Sequence, residues 1–158
     1  MTRESGPAHL RVAAAVGVVV VLDQLTKAGV RSHVSPGDSD PVLPFLELVR
    51  VRNTGVAFGL LSGGGALVLV LSAAALVLLV GYFVRHPEKP ALWIPTGLLL
   101  GGAVGNAIDR VRLGAVTDFL KLPYWPAFNV ADMAITIGVL ALIYVIESPR
   151  TRTRPRRG

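Results

Sequence analysis

Apolar residues in this chain gather into long blocks instead of recurring at the spacing of a surface helix. Four blocks approach the roughly 20 apolar residues that a membrane-crossing helix requires. The first runs from about residue 10 to 30, apolar as far as Leu22 and polar beyond it. The second, Ala66 to Val84, is the cleanest, with Ser72 its one aliphatic hydroxyl and no charge. The third, about 91–108, carries Pro95 near its start and Gly97, Gly101, Gly102 and Gly105 along it. Small residues at such intervals let helices approach closely in lipid. The fourth, about 128–146, has Asp132 one turn in. One such block could be the core helix of a soluble domain; four in one short chain call for a bilayer. The predicted fold class is therefore membrane all-α, four transmembrane helices with a small β-rich segment after the first.

That segment, residues 32–65, is the only sizeable stretch between spans. Ser35-Pro36-Gly37-Asp38 reads as a turn, and Glu47 to Arg52 alternates enough to predict a strand. Asn53-Thr54-Gly55 ends it. A small sheet or hairpin lying on the outer membrane face is expected. Arg3 and Arg11 precede the first apolar block, as in a signal peptide. The block ends in Asp23, Gln24 and Lys27 instead of a small-residue cleavage site, so it reads as a retained span. Residues 1–148 are expected to form one integral membrane domain. The stretch 149–158, basic and broken by proline, is expected to be a disordered tail near anionic lipid heads.

Composition fits a lipid solvent: 52% of the 158 residues are hydrophobic and only 16% charged. The net charge of +6 would suit contacts to nucleic-acid phosphates, but the apolar blocks leave little surface for them. The placement of the cations sets the orientation. Arg3, Arg11, Arg85, Lys89, Arg150, Arg152, Arg154, Arg156 and Arg157 share one side. Lys27, Arg31, Arg50, Arg52, Arg110, Arg112 and Lys121 spread over a longer stretch on the other. Both termini are thus expected to be cytoplasmic. With no cysteine, thiolate catalysis, disulfides and Cys-ligated metals are excluded. His9, His33 and His86 all lie in tails or loops, no H-E-x-x-H occurs, and Ser72 has no base in its span. Zinc and serine peptidase chemistry are both disfavoured.

Ionisable groups at membrane depth are costly and mark function. Four aspartates qualify, Asp23, Asp109, Asp118 and Asp132, and the assigned topology puts them on one side. Asp23 and Lys27, spaced i, i+4, form a natural ion pair that either closes the first span or helps shape a site. Asp109 beside Arg110 and near Arg112 reads as a structural ion pair. Asn106, one turn earlier, is expected to tie its helix to a neighbour. Asp118 and Asp132 have no cation next to them except Lys121, and Asn129 lies one turn before Asp132. Two such carboxyls, if close, would share a proton and activate a water for amide hydrolysis. If apart, one caps a helix and the other is solvated. A small proton- or ion-coupled carrier using these aspartates is the rival reading, and a non-catalytic scaffold a third.

Four blocks, in order, carry a resemblance: Asp23-Gln24-Leu25-Thr26-Lys27; Asn53-Thr54-Gly55-Val56-Ala57-Phe58-Gly59; Gly105-Asn106-Ala107-Ile108-Asp109-Arg110 with Val116-Thr117-Asp118-Phe119; and Phe128-Asn129-Val130-Ala131-Asp132. The chain resembles bacterial lipoprotein signal peptidase, or signal peptidase II, over nearly its whole length. The resemblance implies an intramembrane aspartic endopeptidase that cleaves prolipoproteins before a diacylglyceryl-modified cysteine. It places the catalytic pair on Asp118 and Asp132. Asn53, Asn106, Arg110 and Asn129 would line the site, with Asp109, Asp23 and Lys27 in support. It implies no metal or organic cofactor, a monomer in the bacterial cell membrane, an active site near the outer face, and inhibition by globomycin-type peptides. The loop from Lys121 to Ala127, short and held by Pro123 and Pro126, would form part of a flap.

Overall fold

In this computed structural model, residues 7–54, 74, 77–86 and 89–148 are described. The elements follow the order α1 (Ala8–His33), β1 (Ser39–Leu43), β2 (Leu46–Asn53), α2 (described over 77–85), a 3-10 turn (Pro90–Leu92), α3 (Trp93–Leu113), β3 (Val116–Lys121) and α4 (Val130–Glu147). Most of the expected second span, Ser72, the outer segment beyond Thr54, the N-terminal tail through Arg3 and the basic tail 149–158 lie outside the described residues.

Two described helices, α1 and α4, are long and apolar enough to cross a membrane. At 26 residues, α1 extends about 39 Å at 1.5 Å per residue, more than the ~30 Å hydrocarbon layer. The distribution of polarity is the inverse of a soluble fold. On α1, Leu22 and Leu25 are 52% and 65% exposed, whereas Asp23 and Lys27 are fully buried. Likewise Ile137, Leu140 and Tyr144 of α4 point outward while Asn106, Asp109 and Asn129 are enclosed. Aqueous burial of apolar area does not produce that arrangement; a lipid exterior with a polar interior does.

Helix α3 lies between α1 and α4, and its glycines make this possible. Gly97 and Gly101 face Ala15 and Val19 of α1; Gly102 meets the Ala131 carbonyl of α4, and Gly138 of α4 meets Leu98 and Leu99. α3 stops at Gly114, whose φ of 71° belongs to the left-handed region that glycine enters without strain. Its N–H closes on the Arg110 carbonyl, and the chain enters β3 two residues later.

The sheet is antiparallel with order β1-β2-β3. The strand expected in the segment after α1 is β2, joined there by β1. The third strand, β3, comes from the connection between α3 and α4, for which no strand was expected. Val30 and Val34 at the end of α1 pack with Phe119 of β3, flanked by Leu48, Leu120 and Val130. This small core fixes the sheet to the helices. Arg50 of β2 adds to it by donating to the Arg31 and Val34 carbonyls at the end of α1.

Candidate active site

Asp23, Lys27 and Arg31 recur at i, i+4, i+8 along α1 and so form one stripe. Lys27 is the hub. Its Nζ lies 2.8 Å from Asp23 Oδ2 and 3.5 Å from Asp109 Oδ2, and donates to Asn106 Oδ1 at 2.9 Å. Arg31 lies 3.7 Å from Asp109 Oδ1. The expected Asp23–Lys27 pair is therefore present, but it is fully enclosed rather than closing an exposed helix end. The expected partners of Asp109 need correction. Among the described residues its cations are Lys27 and Arg31, from another helix. Successive side chains on α3 diverge by about 100°, so Asp109 turns inward while Arg110 is only half-buried and Arg112 exposed.

Both supporting carboxylates also organise backbone. Asp109 Oδ2 accepts the Thr117 N–H at 2.9 Å, which stitches α3 to β3. Asp23 Oδ1 accepts the Ala131 N–H at 3.0 Å, one of the unpaired donors of the first turn of α4. Gly105 permits that contact: a Cβ there would stand 2.6 Å from Asp23 Oδ2.

Asp118 and Asp132 are brought together by a short return of the chain. β3 leads into the 122–127 loop, and Phe128 comes back to pair with Leu120. Its carbonyl accepts from the Phe119 and Leu120 N–H groups, and its own N–H donates to the Leu120 carbonyl. This closure sets Asn129 beside Asp118. Asn129 Nδ2 donates to Asp118 Oδ1 at 2.6 Å and to Asn106 Oδ1 at 3.2 Å. Asn106 Nδ2 in turn donates to Asp132 Oδ1 at 2.8 Å. A continuous side-chain chain thus runs Asp118–Asn129–Asn106–Asp132. Asn129 is also the N-cap of α4 in a capping box with Asp132, each side chain accepting from the other's backbone N–H, at 2.9 and 3.2 Å. From β2, Asn53 Nδ2 donates to Asp118 Oδ2 at 2.8 Å. It reaches across because Val51 and Asn53 pair with Asp118 and Val116, leaving Asn53 diagonal to Asp118 on the same face.

The four aspartates divide by environment. Asp23 and Asp109 have cations; Asp118 and Asp132 form no ion pair among the described residues, and side-chain amides partner both. Neither is solvated in the manner of a surface carboxylate: Asp118 is buried and Asp132 half-buried. Burial pushes the Asp118 carboxyl above its ordinary value. The Asn53 hydrogen bond opposes this, the nearby Asp132 charge adds to it, and Asn129 and Lys27 oppose it in turn.

The model of the family described as signal peptidase (SPase) II matches residues 15–147. The chain belongs to the signal peptidase II family. It is 44% identical over 138 residues to the lipoprotein signal peptidase of Moorella thermoacetica, covering 84% of this chain and 89% of that one. It is 40% identical over 146 residues to the lipoprotein signal peptidase of Pelotomaculum thermopropionicum, covering 90% and 96%. A bacterial membrane enzyme solved by the in meso method superposes with a TM-score of 0.79 at 34% identity, over 87% of this chain and 92% of that one. The chain is accordingly a membrane-resident aspartic-type endopeptidase, and the carrier reading of its aspartates finds no support.

Of the residues singled out in the sequence, Asp23, Lys27, Asn53, Asn106, Asp109, Asp118, Asn129 and Asp132 join one network. Arg110 does not: its side chain makes no hydrogen bond or ion pair among the described residues. Three members of the network had not been assigned a role. Gln24 donates to Asp23, Asp109 and the Gly105 carbonyl. Arg31 donates to Thr117 Oγ1, and Thr117 joins β3 to Asp109. Gln24 was legible as one of the polar residues that follow Leu22 in the first span; Arg31 and Thr117 carry no comparable signal.

Proposed function

We propose that Asp118 and Asp132 are the catalytic carboxylates of this chain, cleaving the signal peptide of a prolipoprotein before its diacylglyceryl-modified cysteine. The observation that carries the assignment is the Asp118–Asn129–Asn106–Asp132 chain: two carboxyls without cations, linked by two amides. Carboxyls so placed hold one proton between them. The raised Asp118 favours it as the proton holder, leaving Asp132 as the base. Both Asp118 oxygens accept an amide N–H, and each keeps a second lone pair for the proton.

In the proposed reaction, Asp132 takes a proton from water as the water oxygen attacks the scissile carbonyl carbon. Asp118 donates its proton to the carbonyl oxygen. Collapse of the tetrahedral intermediate breaks the C–N bond. The departing amine of the lipidated cysteine takes the proton held by Asp132, and Asp118 recovers its own from the collapsing hydroxyl. One water is consumed and the pair returns singly protonated. Asn53, Asn106 and Asn129 hold the carboxyls and line the site. Asp23, Lys27 and Asp109 position α4 and β3, and Arg110, outside the network, is left to bind substrate backbone.

The same reading gives four spans with both termini cytoplasmic, one catalytic domain over 1–148 with a basic tail, a monomer, a site near the outer face and inhibition by globomycin-type peptides. The outward apolar faces of α1 and α4 support lateral arrival of a lipid-anchored substrate. The direct test uses the purified full chain in detergent with a prolipoprotein, with and without its diacylglyceryl group. The proposal expects a product that begins at the lipidated cysteine and no product from the unmodified precursor. Equal cleavage of both would remove the lipid requirement from it.

A further inference from the structure

On β3, Thr117 and Asp118 point to opposite faces. Asp118 looks to the amide network; Thr117 looks into a separate cavity of about 430 Å³ lined by Arg31, Arg50, Arg52, Val51, Leu113 and Thr117, among others. Among the described residues, no acidic one lines it. Each guanidinium is tethered by one nitrogen. Arg31 Nη1 donates to Thr117 Oγ1, Arg50 Nη1 to the Arg31 and Val34 carbonyls, and Arg52 Nη2 to the Leu113 carbonyl. Arg31 alone has a carboxylate, Asp109 at 3.7 Å, and that carboxylate also lies near Lys27. Arg50 and Arg52 form no ion pair among the described residues.

Three tethered guanidiniums around one cavity, only one of them with a carboxylate, favour an anion between them. A guanidinium has five donors in a planar fork that matches phosphate oxygens. With one nitrogen engaged on each, the others remain to bind a tetrahedral oxyanion. We propose that this cavity is a phosphate-binding site, separate from the catalytic carboxylates and on the opposite face of β3. The phosphate is either that of an anionic lipid headgroup, which rests on the membrane reading of the chain, or free inorganic phosphate. Bound there, it would tie β2 to the end of α1 through Arg50, Arg52 and Arg31.

The test is thermal unfolding of the full chain in neutral detergent. Additions are phosphatidylglycerol, phosphatidylcholine, inorganic phosphate, and sodium chloride at matched ionic strength. A saturable rise in Tm with phosphatidylglycerol and not with phosphatidylcholine assigns a lipid headgroup. An equal rise with inorganic phosphate, beyond that with chloride, assigns the free ion. Arg50→Gln/Arg52→Gln should raise the half-saturating concentration at least about tenfold, the loss of about 1.4 kcal/mol. Because Arg50 also caps α1, Arg52→Gln alone serves as a second variant and should shift it in the same direction. No rise beyond the phosphatidylcholine and chloride controls, or an unchanged half-saturation in Arg52→Gln, would overturn the site. Peptide cleavage is not the readout, so a failed assignment of the carboxylates leaves this outcome unaffected.

Discussion

Lys27 shows what a single buried charge organises. It neutralises Asp23 and Asp109 and orients Asn106, which holds Asp132. Lys27→Met would leave Asp23 with no cation and Asp109 with Arg31 alone. Breaking a buried pair from one side costs about 3–5 kcal/mol, so denaturant unfolding in detergent should show a loss of that size. Asn53 gives the complementary test, on pH rather than stability. Its hydrogen bond lowers the pKa of Asp118, which burial raises. In Asn53→Ala that pKa climbs further. The proton needed for catalysis is then kept to higher pH, so the alkaline limb of the pH–rate profile should move upward. A limb that stays put would remove Asp118 as the proton holder. The sequence distinguished these residues partly: it separated Asp118 and Asp132 from the cation-flanked aspartates by their neighbours. It misassigned the cations of Asp109, because adjacency along a helix is not adjacency in space.

Among the elements, the glycines of α3 and the strand β3 have the largest consequences. The stripe Gly97, Gly101, Gly102, Gly105 was legible as a packing face, and the structure sets it against α1 and α4. Gly105→Ala should cost about 1–3 kcal/mol, as overpacking does. It should lower activity as well, since the added carbon displaces the Asp23 carboxylate that caps α4. Unchanged stability and turnover would mean that α3 has room to move away. β3 was missed because Val116-Thr117-Asp118-Phe119-Leu120 is short and buried on both faces, so its apolar and polar residues show no two-residue period. Its strand character comes from pairing with β2, a partner more than sixty residues earlier. The pairing of Leu120 with Phe128 is local by contrast, closed across the short 122–127 loop, and it is what sets Asn129 beside Asp118.

For the whole molecule, the membrane class was legible from apolar blocks alone, because lipid demands them whatever the packing. The two described helices long and apolar enough to cross a membrane, and the buried polar network, agree with it. The proposed four-span topology is open to a clean test, since the chain has no cysteine of its own. A single Ser39→Cys should react with an impermeant maleimide added to intact cells, and Thr151→Cys only after lysis. Reaction of both from outside would contradict cytoplasmic termini.

The central claim is that Asp118 and Asp132 act as one proton-sharing pair. The most direct measurement is cleavage of a diacylglyceryl-modified prolipoprotein by the purified wild type, Asp118→Asn and Asp132→Asn, each shown to be folded by thermal unfolding. The account predicts that each variant loses at least the 10²–10⁴-fold that a positioned acid or base contributes, with Tm close to wild type. Near-normal cleavage by either folded variant would contradict it, and Asp109 would become the carboxylate to examine.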